Sequence, residues 1–174
     1  GFLAHRGQSI ENLTHLMFYT TDGILGTPLS VSATYIFVFL LFAAFLVKTG
    51  VGQYFNDLAV AVAGKLIGGP AKVAIFSSAL QGTISGSSVA NVVTSGSYTI
   101  PMMKKLGYKK EFAGAVEASA STGGQLMPPI MGAAAFLMVE FIGRGITYWD
   151  IAKAAAIPAL LYFTGIWIMT HFEA

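Results

Sequence analysis

Long apolar runs, separated by short polar interruptions, dominate this chain. Residues 31–47 form an uncharged apolar run, and a helix of about 17 such residues is just long enough to cross the hydrocarbon core of a bilayer. Residues 150–171 form a second candidate span, with Pro158 as a kink. Residues 51–66 mix charged and apolar positions, as in a helix that lies at the membrane interface. The pattern therefore predicts an all-α integral membrane protein.

A third apolar stretch is too long to be one straight span. Residues 73–103 contain no charge, and a single helix of that length would run about 46 Å, against a hydrocarbon core of about 30 Å. Its centre is interrupted by Ser85-Gly86-Ser87-Ser88. Lysines favour the cytoplasmic side, and they flank both ends of the stretch: Lys65 and Lys72 before it, Lys104, Lys105, Lys109 and Lys110 after it. Residues 73–103 are therefore predicted to form a re-entrant helical hairpin with a polar tip.

Residues 111–142 show a second interruption. Gly123-Gly124-Gln125-Leu126-Met127-Pro128-Pro129 places two glycines and two prolines within seven residues, which a regular helix cannot accommodate. The apolar pattern resumes at Ile130. A broken helix is therefore expected over 111–142.

These elements divide the chain into four segments. Residues 1–30 are a mixed, periplasmic-side lead-in, and residues 31–72 form a scaffold span with an interfacial arm helix. Residues 73–142 hold the hairpin and the broken helix. Residues 150–171 add a further transmembrane helix.

Composition excludes several other classes of protein. The 174 residues are 55% hydrophobic and 10% charged, whereas a soluble domain carries about 25% charge. The net charge of +2 is too small to indicate nucleic-acid binding. The chain has no cysteine, which excludes disulfides and thiolate metal sites.

The two breaks carry the candidate chemistry. An interrupted helix frees carbonyl and amide groups, which need partners inside a membrane, and transporters use them to bind ions and anionic substrates. Hard cations prefer oxygen ligands, which hydroxyls and carbonyls supply. Any single glycine or serine, as in Gly82-x-x-x-Gly86, is explained as well by close helix packing. Two polar breaks in adjacent segments favour binding, and the candidate residues are Ser85, Gly86, Ser87, Ser88, Asn91, Thr122, Gly123, Gly124, Gln125 and Pro128.

Other titratable groups are less informative. Glu117 is the acid within a predicted span, and either a structural ion pair with a lysine or a role in substrate coupling explains it. His5 and His15 lie outside the predicted spans and His171 is the last residue of one; none has metal-ligand spacing, which predicts no special role.

These motifs resemble a known family. The stretch Gly82–Asn91, then Pro101-Met102-Met103 with Gly107-Tyr108, then Gly123–Pro129 are similar to the large membrane subunit of TRAP transporters, the tripartite ATP-independent periplasmic transporters. Residues from Gly23 to Phe45 also resemble it, especially the branch with fused small and large subunits that works with TAXI-type binding proteins. The resemblance extends from about Asp22 to Ile168.

The resemblance implies a mechanism. A Na⁺ gradient drives uptake of a carboxylated organic anion, which a periplasmic binding protein delivers, and a transport domain moves like an elevator against a scaffold. The partners are then a TAXI-type binding protein, a small membrane subunit or its fused equivalent, and the lipid of a bacterial or archaeal inner membrane. Family Na⁺ ligands lie at the hairpin tip and the unwound helix. The resemblance maps these positions onto Ser85, Gly86, Ser87, Ser88 and Asn91 and onto Gly123, Gly124 and Pro128, and we expect Ser85, Ser87 and Gly123 to bind the ion.

One departure from the family pattern stands out. The family has two inverted repeats, each with a hairpin and a broken helix, and this sequence holds one set. A fragment covering the first hairpin repeat is therefore expected. Arg6 and Arg144 are distant in sequence from both breaks, so the clamp for a carboxylate is expected from the missing half.

Two alternatives stay open at this point. Thr83-Ile84-Ser85-Gly86 loosely matches the nucleophile loop of an intramembrane serine protease, although no histidine falls in the interior of a predicted span to act as the base. Re-entrant loops also build channels, and the chain could be a channel or a non-transporting scaffold subunit. Of these readings the sequence favours the transporter, and we expect no enzymatic activity.

Overall fold

A computed structural model describes residues 7–143 and 145–173 of the chain. Its secondary structure is helical, with the following α-helices in chain order: α1 Ile10–Tyr19, α2 Thr27–Val31, α3 Phe37–Lys48, α4 Val51–Ala63, α5 Gly69–Ser85, α6 Ser88–Thr94, α7 Gly96–Lys105, α8 Lys110–Gly123, α9 Ala133–Ile142 and α10 Tyr148–Glu173. A π-helical turn over Ser32–Ile36 joins α2 to α3. The all-helical fold class is confirmed.

Within the described ranges, two helices are long and apolar enough to cross a membrane. Thr27–Lys48 is continuous over 22 residues and Tyr148–Glu173 over 26. The first begins four residues before the predicted start at Val31, because Pro28 suits the first turn of a helix and Gly26 is extended before it. None of the residues of α3 is buried, which separates it from the core helix of a soluble protein. An apolar face of this size needs a covering, and a bilayer supplies one.

The lead-in contains a helix that the sequence pattern did not predict. Helix α1 begins after Ser9, whose hydroxyl accepts a hydrogen bond from the Asn12 amide at 3.2 Å. Its residues are exposed, and His15 stacks on Tyr19 within it. This helix is therefore stabilised locally, by its serine cap and by the stacking of two rings one turn apart, and not by burial.

Helix α5 lies at the centre of the packing. It contacts α4, α6, α7, α8 and α10. Its neighbours approach closely because the buried positions are small: Ala71 and Ala74 on α5 and Ala113 and Ala120 on α8 are fully buried. Alanine-lined contacts are typical of helix packing in membranes, where close backbone approach replaces the hydrophobic effect.

The first predicted interruption is confirmed as a helix–break–helix hairpin. Helix α5 ends at Ser85, Gly86 adopts a left-handed backbone (φ 59°), and Ser87 is extended and caps α6 by accepting from the Ala90 amide. The chain then returns along α5, where Asn91 donates to the Ser78 carbonyl at 3.2 Å. That this hairpin is re-entrant in a membrane stays a prediction.

The second predicted interruption is also present. Helix α8 ends at Gly123, and regular helix resumes at Ala133 rather than at the predicted Ile130. The intervening loop closes on itself through the Gly132 amide, which donates to the Gln125 carbonyl at 2.8 Å. Within the loop Met131 has a left-handed backbone (φ 54°), which is costly for a residue with a side chain.

The final helix closes one side of this unit. Tyr162 on α10 donates to the Ser119 carbonyl of α8 at 2.9 Å. Near its end, His171 lies 3.0 Å from the Nζ of Lys72, which is buried and also stands 5.3 Å from the centre of the Trp167 ring. The sequence predicted no special role for His171, and the structure adds a hydrogen bond to the buried lysine at the base of α5.

Candidate functional site

The two helix breaks contact each other directly. Gly82 on α5 touches Gly124, and a Cβ at Gly82 would lie 2.5 Å from the Gly124 Cα. A Cβ at Gly86 would lie 1.8 Å from the Met131 carbonyl oxygen. The close-packing role considered for Gly82-x-x-x-Gly86 is therefore real, and what those two glycines admit is the backbone of the second break.

Side chains also join the breaks. Gln125 donates to the Ser88 hydroxyl at 2.9 Å. Asn91 is buried and lies against Gly124, where a Cβ would come within 2.3 Å of its amide nitrogen. The Asn91 side-chain oxygen accepts from the Ser85 hydroxyl at 2.6 Å. One amide therefore fixes the end of α5, the start of α6 and the start of the second break.

A cavity of about 550 Å³ opens where the breaks meet. Its polar side is formed by Ser85, Gly86 and Ser87 from the first break, and by Gln125 and the backbone of Gly132 from the second. Its apolar side comes from the first span and α9, including Phe39 and Phe136. A volume of this size and this mixed lining are typical of small-molecule sites.

The ten predicted site residues take different places. Ser85, Gly86, Ser87 and Gln125 line the cavity, while Ser88, Asn91 and Gly124 lie at the contact between the breaks. Gly123 is buried under the rings of Tyr162 and Phe163. Thr122 is exposed and donates to the Ala118 carbonyl of its own helix at 2.8 Å. Pro128 is half-buried in the loop.

The three predicted Na⁺ ligands already have hydrogen-bond partners. The Ser85 hydroxyl donates to Asn91, the Ser87 hydroxyl caps Ala90, and the Gly123 carbonyl accepts from the Leu126 amide at 3.0 Å. Each of these oxygens still has a lone pair for a cation, since hydroxyls and carbonyls carry two. Ser85 and Ser87 face the cavity, whereas Gly123 is not among the residues that line it.

Glu117 does not form the lysine ion pair considered from the sequence. It is 0% exposed, and Ser78 and Ser121 donate to its Oε1 at 3.2 and 2.9 Å. Ser95 also donates to Oε1, and Thr99 donates to Oε2 at 2.5 Å. In the part of the chain that the structure describes, the ion pairs are Lys110 with Glu111 and Lys153 with Asp150. The partners of Glu117 are therefore hydroxyls drawn from both arms of the hairpin and from α8.

A second buried polar network was also missed from the sequence. Asn56 on α4 accepts from Ser77 and from Gln81, the latter at 3.3 Å, and Gln81 accepts from Thr94. The sequence did carry a signal for both networks: polar residues recur every four positions within otherwise apolar helices. Ser77 and Gln81 are four residues apart, and so are Asn91, Ser95 and Thr99, which places each set on one helix face.

The serine-protease alternative would need a histidine beside Ser85, and neither histidine of the described residues lies there. His15 stacks on Tyr19 and His171 contacts Lys72, while Ser85 donates to Asn91. Arg6, Arg144 and His5, which entered the sequence argument, lie outside the residues that the structure describes.

Exposed apolar spans, two interrupted helices and a cavity of mixed lining at their junction are the arrangement typical of secondary transporters of the membrane. Comparison with known sequences leads to the family. The profile described as "Tripartite ATP-independent periplasmic transporter, DctM component" matches residues 3–174. The chain belongs to this family of TRAP transporter large permeases, as its motifs indicated.

Individual relatives agree with the family assignment. The C4-dicarboxylate TRAP transporter large permease protein DctM of Vibrio cholerae is 40% identical over 123 residues, which cover 71% of this chain and 26% of that protein. Its counterpart in Pseudomonas aeruginosa is 38% identical over 126 residues, 71% of this chain and 28% of that protein. The sialic acid TRAP transporter large permease protein SiaM of Vibrio cholerae is 27% identical over 134 residues, 77% of this chain and 30% of that protein.

The chain spans about a quarter to a third of the length of these curated relatives. No solved structure gives a significant match.

Proposed function

We propose that this chain forms half of the transport site of a Na⁺-coupled permease that imports an organic anion across a bacterial or archaeal inner membrane. One observation carries the proposal: the two helix breaks meet and line a single cavity. An unwound backbone costs hydrogen bonds inside a membrane and is retained where a polar ligand uses it. Elevator-type movement of the hairpin and α8 against the first span is part of the same proposal.

Sodium fits the chemistry of the first break. Ser85 and Ser87 place hydroxyl oxygens at the cavity, and hard cations prefer such ligands. Gly86 gives that turn its left-handed backbone (φ 59°), and the turn lines the cavity beside the hydroxyls. Gly123 is the third proposed ligand, and its burial beneath Tyr162 makes it the one that requires a rearrangement.

The substrate class rests on the relatives. Two of them are named for C4-dicarboxylates and one for sialic acid, and we extend the carboxylate class to this chain. The complete site takes its cationic clamp from a second repeat outside this chain. A periplasmic binding protein, of TAXI type in our proposal, and a small or fused membrane subunit complete the transporter.

The test is uptake by the full-length permease in proteoliposomes, with its binding protein supplied outside. A labelled C4-dicarboxylate and labelled sialic acid serve as probes. Uptake of one of them is expected to require both an inward Na⁺ gradient and the binding protein. Uptake that persists after the Na⁺ gradient is collapsed would contradict sodium coupling. Steady single-channel currents would show that the protein is a channel and not a transporter.

Site variants connect this assay to the cavity. Ser85→Ala and Ser87→Ala are each expected to raise the Na⁺ concentration needed for half-maximal uptake by about tenfold, since each removes one oxygen ligand. Ser97→Ala is the matched control, because Ser97 is exposed on α7 and donates only to the Thr94 carbonyl. Equal Na⁺ dependence in all three variants would exclude the hydroxyls of the first break as ligands.

A further inference from the structure

A second site lies in the core of the hairpin, apart from the cavity. Glu117 is completely buried, and its carboxyl group is surrounded by hydroxyls of Ser78, Ser95, Thr99 and Ser121. Ser78 belongs to the outgoing arm of the hairpin, Ser95 and Thr99 to the returning arm, and Ser121 to α8. One carboxyl group therefore holds three separate helical segments together.

The hydrogen bonds around Glu117 can be completed in two ways. An ionised carboxylate accepts about four hydrogen bonds, and the four hydroxyls supply that number. Two of these hydroxyls also have a backbone acceptor within reach: Ser95 lies 2.9 Å from the Asn91 carbonyl oxygen and Thr99 lies 3.0 Å from the Ser95 carbonyl oxygen. When Ser95 and Thr99 donate to those carbonyls instead, their oxygens can accept a hydrogen bond from the O–H of the protonated carboxyl group.

Both protonation states of Glu117 are thus satisfied by rotating hydroxyls, with no movement of the backbone. A buried carboxyl group without such alternatives would be held in one state by unpaired donors or acceptors. The packed structure can therefore accommodate Glu117 both with and without its proton.

No charged side chain of the described residues forms an ion pair with Glu117. The basic groups on the helices packed against it are Lys72, Lys104, Lys105, Lys110, Lys153 and His171. Among the described residues, none of these lies within 4.0 Å of a Glu117 oxygen. The other titratable groups on those helices are Glu111, Asp150, Glu173, Tyr98, Tyr148 and Tyr162, and none of them is a hydrogen-bond partner of Glu117.

The occupant that fits this site is a proton rather than a metal ion. Ser78 lies 3.1 Å from Ser95 and 3.5 Å from Ser121, oxygen to oxygen, so that the hydroxyls contact each other as well as the carboxyl group. Among the described residues, every buried side-chain polar atom has a hydrogen-bond partner, and a proton can join this network by rotation of hydroxyls alone.

We propose that Glu117, with Ser95 and Thr99 as its rotating hydroxyl partners, is a proton-binding site in the core of the hairpin. The site is linked to the cavity through one residue. Ser95 turns toward the carbonyl of Asn91, and the side chain of Asn91 bonds Ser85 at the cavity edge. Proton binding therefore changes the hydrogen bonds on the residue that joins the two breaks.

The test is infrared difference spectroscopy of the full-length protein, titrated between about pH 6 and pH 9, where exposed carboxyl groups are ionised. A carboxylic C=O stretch that disappears as the pH rises is expected. It should be lost in Glu117→Gln and kept in Glu140→Gln, a matched variant of an exposed glutamate.

Ser95→Ala provides a second measurement that does not depend on the glutamine variant folding. It removes one donor to the ionised form, and the midpoint of the C=O titration is expected to move upward by about one pH unit. Ser97→Ala, on the exposed side of the same helix, should leave the midpoint unchanged.

Three results would overturn the proposal. Absence of a carboxylic band at every pH would mean a permanent carboxylate, and a band that does not change with pH would mean a permanent hydrogen-bond donor. A band that vanishes on adding Na⁺ at constant pH would assign the site to sodium. None of these readouts requires transport, so this proposal and the proposed function can fail separately.

Discussion

Replacing Gly86 by alanine is the sharpest perturbation of the contact between the two breaks. Gly86 has φ 59°, and its missing Cβ would lie 1.8 Å from the Met131 carbonyl oxygen and 3.3 Å from a methyl group of Ile130. Ordinary contact begins near 3.4 Å, so the second break must retreat by about 1.6 Å to admit one methyl group. The contact is with backbone, which cannot rotate away as a side chain can.

The expected cost has two parts. A left-handed backbone costs an alanine about 1 kcal/mol relative to glycine. Overpacking against a fixed backbone typically adds about 1–3 kcal/mol. Because the displacement of about 1.6 Å falls on the cavity itself, a tenfold or greater loss of Na⁺-dependent uptake is expected, beyond the loss of stability.

Two measurements on the full-length protein separate these effects: the thermal unfolding midpoint in detergent, and uptake per folded molecule in proteoliposomes. Gly50→Ala is the matched control, since Gly50 is also left-handed (φ 84°) but has no atom within 4 Å of a Cβ. It should show the backbone cost alone, with uptake retained. If Gly86→Ala matched Gly50→Ala in both stability and uptake, the close contact of the breaks would be excluded.

Three further substitutions test the surrounding structure. Asn91→Ala should lower the free energy of unfolding by about 1–3 kcal/mol, because it removes the partner of the Ser85 hydroxyl and of the buried Ser78 carbonyl. Gly123→Ala should destabilise by about 1–3 kcal/mol, since its Cβ would lie 2.5 Å from the Tyr162 ring, and Tyr162→Leu should relieve part of that cost. Lys72→Met should preserve stability, because an apolar side chain of similar length replaces a buried cation that packs on Trp167. Denaturant or thermal unfolding measures all three.

Two of these substitutions have a control variant in the same region. Gly114→Ala adds a methyl group to α8 where nothing lies within 4 Å, and should not destabilise as Gly123→Ala does. Val92→Ala alters an exposed position beside Asn91 and should cost little. A strongly destabilised Lys72→Met would show that the bond to His171 contributes more than the apolar contact, contrary to expectation.

Much of the architecture followed from sequence alone. The two interruptions were predictable because glycine, proline and clustered serine cannot continue a helix through an apolar run, and the structure breaks α5 after Ser85 and α8 after Gly123. Helix ends were less accurate: Thr27 begins the first span because Pro28 fits its first turn, and α1 depends on a local serine cap within a polar segment.

What the tertiary structure alone decided is which groups meet. Sequence spacing placed Ser85 and Gln125 on separate breaks, but only packing shows that glycines at 82 and 86 admit the second break and create a shared cavity. The surroundings of Glu117 were equally hidden, because its four partners come from three helical segments up to 39 residues away. Periodicity reports the face of one helix, whereas the partner of a buried polar group depends on how helices distant in sequence cross.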